Sequence, residues 1–63
     1  MRDPNRMEPF LEQVRVEWAK YPDFRFGQML CNFIAEYGSP FYWDEDMFIE
    51  KLRTYMNKIT GGD

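Results

Sequence analysis

Apolar residues recur along this chain with helical spacing in three successive blocks. In the first, Met7, Phe10, Leu11, Val14, Trp18 and Tyr21 fall on one stripe about 100° wide when wound at 3.6 residues per turn. Glu8, Glu12, Arg15 and Lys20 lie off that stripe, and Val16 sits opposite it. The pattern predicts an amphipathic helix over residues 4–20. Asp3 is a good N-cap, and Pro4 at the first helical position gives up no needed hydrogen bond. Pro9 is out of place in such a helix, since past the first turn it removes a backbone donor. It should kink the helix or delay its start.

The second block, residues 24–37, reads FRFGQMLCNFIAEY. Arg25, Gln28, Asn32 and Glu36 form one narrow polar stripe, and nearly everything else is apolar. A helix that is greasy over more than half its circumference needs cover on more than one side. This helix is therefore expected to be central, shielded by its neighbours or by a second copy. Tyr21-Pro22-Asp23 is the corner before it, because the residue ahead of a proline is pushed out of helical geometry. Asp23 is the expected cap. Gly27 lies on the apolar arc, where its cost of about 1 kcal/mol relative to alanine predicts a close approach by another helix.

Gly38 suits the left-handed position that ends a helix, and Ser39-Pro40 prevents continuation. Phe41, Tyr42 and Trp43 follow in a short connection. The third block covers residues 44–60. It opens on Asp44, Glu45 and Asp46, at the positive end of the helix dipole. Its apolar stripe is Phe48, Ile49, Leu52, Tyr55, Met56 and Ile59. Residues 61–63, with Gly61 and Gly62, should fray. The expected fold is an all-α, compact three-helix bundle in a single domain, with the second helix central.

Sixty-three residues are few for an independent core. Aromatic residues, at 19% of the chain, supply the bulk that such a core needs, each burying roughly 150–250 Å². Cys31, the single cysteine, can form no internal disulfide and fits a reducing cytoplasm. On the apolar arc it should be a buried, inert small hydrophobe. A net charge of −3 argues against broad nucleic-acid binding, which requires clustered Lys and Arg. No run of 18 apolar residues is available to span a membrane. The segment MRDPNRMEP lacks the apolar core of a secretory signal, and the chain is expected to be a complete natural product.

Candidate chemistry is sparse. Without histidine there is no imidazole base and no Ser–His or Cys–His pair, so no enzyme activity, cofactor or metal site is expected. Asp44, Glu45, Asp46 and Glu50 lack the alternate spacing and glycine of a calcium loop, and read as carboxylates favoured by the helix dipole. Phe41, Tyr42 and Trp43 either lid the bundle or form a patch that grips a partner, as Tyr and Trp do at binding hot spots. The stripe of Arg25, Gln28, Asn32 and Glu36 is either the solvated side of its helix or a polar recognition strip, with Arg25, Gln28 and Asn32 as its expected partner-binding residues.

Arg2-Asp3-Pro4 with Arg6, then Trp18, Pro22-Asp23, Arg25, Gly27-Gln28, Asn32, Pro40-Phe41-Tyr42 and Glu45-Asp46 resemble a pattern in a family of short bacterial and prophage-type proteins. There an RDP start precedes W…PDLRLGQL…N and an FY-acidic segment. The likeness covers roughly residues 2–52 and departs from the pattern at Pro9, Phe24 and Phe26. It implies a bacterial or phage origin and a cytoplasmic setting, and no particular activity. The leading expectation is a small acidic non-enzymatic protein-interaction module, alone or as a homodimer. Two alternatives stand beside it. One is a helix-turn-helix-like nucleic-acid-binding domain using Lys51, Arg53 and Lys58; the other is a phage inhibitor of a host nucleic-acid-binding protein.

Overall fold

In a computed structural model, which describes residues 3–61, the chain forms three α-helices. A short 3-10 turn over Pro4–Arg6 leads into α1 (Met7–Trp18); α2 (Phe26–Tyr37) and α3 (Glu45–Ile59) follow. This is the all-α three-helix bundle expected, with no strand among the described residues. Arg2 of the RDP start and the last two tail residues, Gly62 and Asp63, lie outside the described residues.

Capping explains most of the boundaries. The Asp3 carboxylate accepts from the Asn5 N–H at 2.9 Å, so it caps the 3-10 turn. Helix α1 then starts at Met7, which places Pro9 in its first turn, where N–H groups have no intrahelical acceptor. The proline thus delays the α-helix and breaks no hydrogen bond within it. At the second helix the expected cap is wrong. Asp23 stands in the corner, and Arg25, with extended backbone, is the N-cap. The Gln28 side chain reaches back and accepts from the Arg25 N–H at 3.0 Å. A guanidinium, all donor, cannot return that bond, so only half of a capping box is formed. Gly38 closes α2 at φ 94°, its N–H donating to Ile34 O at 2.7 Å. Asp44 caps α3 by accepting from the Met47 N–H at 2.8 Å.

Helices α1 and α3 run side by side in the same direction. Arg6 Nε pairs with Glu45 at 2.7 Å, the Phe10 and Phe48 rings meet edge-on at 5.5 Å, and Lys20 Nζ donates to Asn57 at 2.9 Å. Helix α2 packs its Met29 and Phe33 onto the Leu52, Tyr55 and Met56 face of α3. Phe33 is fully buried, and its ring touches those of Tyr37, Trp43, Phe48 and Tyr55 at centroid distances of 5.3 to 5.8 Å. Such offset and edge-on pairs each add about 0.5–1.5 kcal/mol beyond area burial. Helix α2 meets α1 at one end, where Trp18 stacks on Phe26 and its indole N–H donates to Phe24 O at 2.8 Å.

Three expectations fail here for one reason: α1 lies along α3 and leaves the outer side of α2 open. Phe33 of α2 does sit at the centre of the core, yet the helix is not covered on several sides. Phe26, Ala35 and Cys31 are exposed, so the cysteine is not a core residue. No atom lies within 4 Å of where a Gly27 Cβ would stand, so no helix approaches it closely.

Helix α1 is also turned differently from its stripe. Phe10, Val14 and Trp18 are half-buried, but Met7 is 52% exposed and Leu11 61%. The residue most deeply buried on α1 is Glu17, 2% exposed. Lys20 Nζ lies 2.6 Å from its Oε1 and Arg53 Nε 3.5 Å from its Oε2. The Oε1 contact is an ion pair without hydrogen-bond geometry, since that oxygen finds no aligned donor. The two cations are what make the burial of a carboxylate tolerable.

Candidate interaction groove

The aromatic connection owes its shape to a turn. The Trp43 N–H donates to Pro40 O at 3.0 Å, which makes Phe41 and Tyr42 the central residues of a four-residue turn. Central side chains of such a turn project away from the chain. Phe41 is 81% exposed and Tyr42 91%, with their rings edge-on at 4.8 Å. Trp43 turns inward and rests on Phe33 and Phe48, at 5.8 and 6.0 Å. The Lys51 ammonium lies 5.2 Å from the Trp43 ring and 5.8 Å from that of Tyr37, within cation–π range. The aromatic triplet therefore divides between inside and outside. Trp43 lids the core, while Phe41 and Tyr42 stand in water.

Beside this turn an apolar groove of about 340 Å³ opens at the N-terminal ends of α1 and α3. Met7, Phe10 and Leu11 form one wall and Trp43 and Phe48 the other. Arg6, Asp44 and Glu45 make its polar lip. Its floor is continuous with the aromatic core, because Phe48 touches both Phe10 and Phe33. The groove therefore exists without any partner. A larger, more polar depression of about 820 Å³ shares the Arg6–Glu45 edge and is lined further along by Gln13, Glu50 and Arg53. Among the described residues no cluster of three metal-ligating side chains forms.

The five residues expected to bind a partner separate into two places. Arg25 and Gln28 cap the start of α2, and Asn32 is exposed one turn further on. Tyr42 and Trp43 lie beyond the other end of that 12-residue helix, about 18 Å long. Glu36, which continues the polar stripe, is held by Lys58 at 2.9 Å, and this contact raises the lysine pKa. Of the five, Trp43 alone lines the groove, and Tyr42 precedes it in the turn. Met7 and Leu11, its outer wall, look like core residues in the sequence. Their signal is the Glu17 carboxylate, which competes with them for the buried side of the same helix.

The basic residues of α3 are engaged within the molecule. Lys51 sits over two rings, Arg53 faces Glu17 and Gln13, and Lys58 holds Glu36.

Fold and surface define a small all-α three-helix domain with an open apolar groove at one end, and among the described residues no helix is long and apolar enough to cross a membrane. No family model matches the sequence, and neither a curated protein nor a solved structure matches it.

Proposed function

We propose that this chain is a non-enzymatic protein-interaction module that binds another protein through the groove and the Phe41-Tyr42 turn. The observation that carries the reading is a pair of largely exposed aromatic rings, Phe41 and Tyr42, on the turn whose next residue, Trp43, lines a preformed apolar groove. Large contiguous apolar patches are uncommon on monomeric proteins and mark sites of association. Tyr, Trp and Phe are enriched at interfaces because they bring much contact area with few rotatable bonds. The resemblance to short prophage-type proteins supports a bacterial or phage-infected cytoplasm as the setting.

The test is affinity capture from bacterial lysate, with wild-type chain and the Leu11→Ser/Phe41→Ser/Tyr42→Ser variant as parallel baits. All three residues are exposed, so the helical circular dichroism of the variant should match wild type. Proteins retained by wild type and lost by the variant support the reading; identical retention refutes it. Light scattering across a concentration series reports whether a second copy is itself the partner.

A further inference from the structure

We infer that the occupant of the groove is a basic amphipathic helix of a partner protein, an inference that rests on the interaction reading above. Three observations lead there. The first concerns backbone hydrogen bonding. With no strand among the described residues, no sheet edge is available for an extended peptide to pair with. A helix satisfies its own backbone and needs no such edge. The second is size. A 150 Å³ apolar cavity suffices for a benzene ring, so a groove of about 340 Å³ takes roughly two side-chain anchors. Two anchors one helical turn apart, at i and i+3 or i+4, supply that set.

The third is charge. The Arg6 guanidinium at the lip is already paired with Glu45. That leaves Asp3, Glu8, Asp44 and Asp46 at this end of the molecule, all exposed and with no salt bridge to any of them among the described residues. The parallel course of α1 and α3 puts these carboxylates at the same end of the helix pair. A second copy of the chain would face them with the same carboxylates across a two-fold axis. A segment with Lys or Arg flanking its apolar anchors meets them with complementary charge, which speeds encounter and fixes register.

The experiment measures fluorescence anisotropy of labelled synthetic peptides about 14 residues long. The first places Leu on one helical face and Lys on the other; the second has the same composition with Leu scattered around the helix. The third replaces Lys by Glu, and the fourth is a Pro- and Arg-rich peptide that cannot form a helix. The amphipathic Leu–Lys peptide should bind at least about tenfold more tightly than the other three, a difference of about 1.4 kcal/mol. Leu11→Lys and, independently, Met7→Lys should each weaken it about tenfold. Both sites are more than half exposed, so both variants should fold. The Asp44→Asn/Asp46→Asn variant keeps an N-cap residue and should bind several-fold more weakly with a shallower salt dependence.

Equal binding of the scattered Leu–Lys peptide reduces the effect to bulk charge and overturns the inference. So does tightest binding of the Pro- and Arg-rich peptide or of the Leu–Glu peptide. A dimer in light scattering that depends on Leu11 and excludes the peptide assigns the groove to a second copy. If no peptide binds while lysate capture still depends on Leu11, Phe41 and Tyr42, the basic helix falls and the interaction module stands. Failure of both experiments removes both.

Discussion

Removing the indole of Trp43 should damage the fold, and removing the neighbouring phenol of Tyr42 should not. A tryptophan can bury roughly 150–250 Å², and Trp43 is partly buried, with Phe33, Phe48 and the Lys51 ammonium around its ring. Taking about 100–150 Å² of lost burial at about 25 cal/mol per Å² gives about 3 kcal/mol for Trp43→Ala. That agrees with the lower end of the range of about 3–5 kcal/mol for buried aromatic-to-alanine changes. A domain this small holds only about 3–9 kcal/mol in total, at about 0.05–0.15 kcal/mol per residue. The melting temperature should therefore drop by about 12–24 °C, at about 4–8 °C per kcal/mol. Trp43→Phe, which keeps most of the contact, provides a graded intermediate. Tyr42, 91% exposed, has almost no burial to lose, so Tyr42→Ala should stay within about 0.5 kcal/mol of wild type. Urea unfolding followed by circular dichroism at 222 nm is the assay, because Trp18 confuses fluorescence. Comparable losses for Tyr42→Ala and Trp43→Ala would refute the division of the turn into one anchored and two solvated rings.

Glu17→Met should be neutral or stabilising in the same assay, since Lys20 and Arg53 can turn to solvent. Lys20→Met/Arg53→Met, which strands the carboxylate, should cost about 2–3 kcal/mol. Gly27→Ala should stabilise by up to about 1 kcal/mol, because its site is helical and open. Gly38→Ala should destabilise by about 1 kcal/mol, because φ there is 94°. Burial pushes the Tyr55 phenol above its ordinary value of 10.0, with the Glu36 charge adding to the effect and Lys58 opposing it. The neutral phenol is thus favoured in the folded state. Its contribution is full below pH 10 and is lost as pH rises from there through the folded-state pKa, so alkaline melting curves should show a loss that Tyr55→Phe lacks.

Three helices, their approximate limits and their common core were legible without coordinates. Asp44 and Gly38 mark element ends through local chemistry, a carboxylate that caps free N–H groups and a residue that accepts positive φ. Phe33, Leu52 and Met56 are buried because their helical spacing leaves no other efficient arrangement. Such signals act within one or two turns of chain, so sequence order suffices to read them. The polar strip on α2 was less informative: Arg25 and Gln28 serve the start of their own helix, which spacing alone does not distinguish from recognition.

The groove was decided at another level. Glu17 and Leu11 lie about 120° apart around α1, so only one of them can face α3. Hydrophobicity alone favours Leu11. The partners of Glu17 are Lys20, a turn away, and Arg53, 36 positions along the chain on a different helix. Lys20 is local to Glu17, and the packing of α3 along α1 is what brings Arg53 to the carboxylate. Helix α1 then carries Glu17 into the interior and leaves Met7 and Leu11 open beside the aromatic turn. Residue order determined that each helix has an apolar face. The packing of helices distant in sequence determined which part of that face remains available for binding.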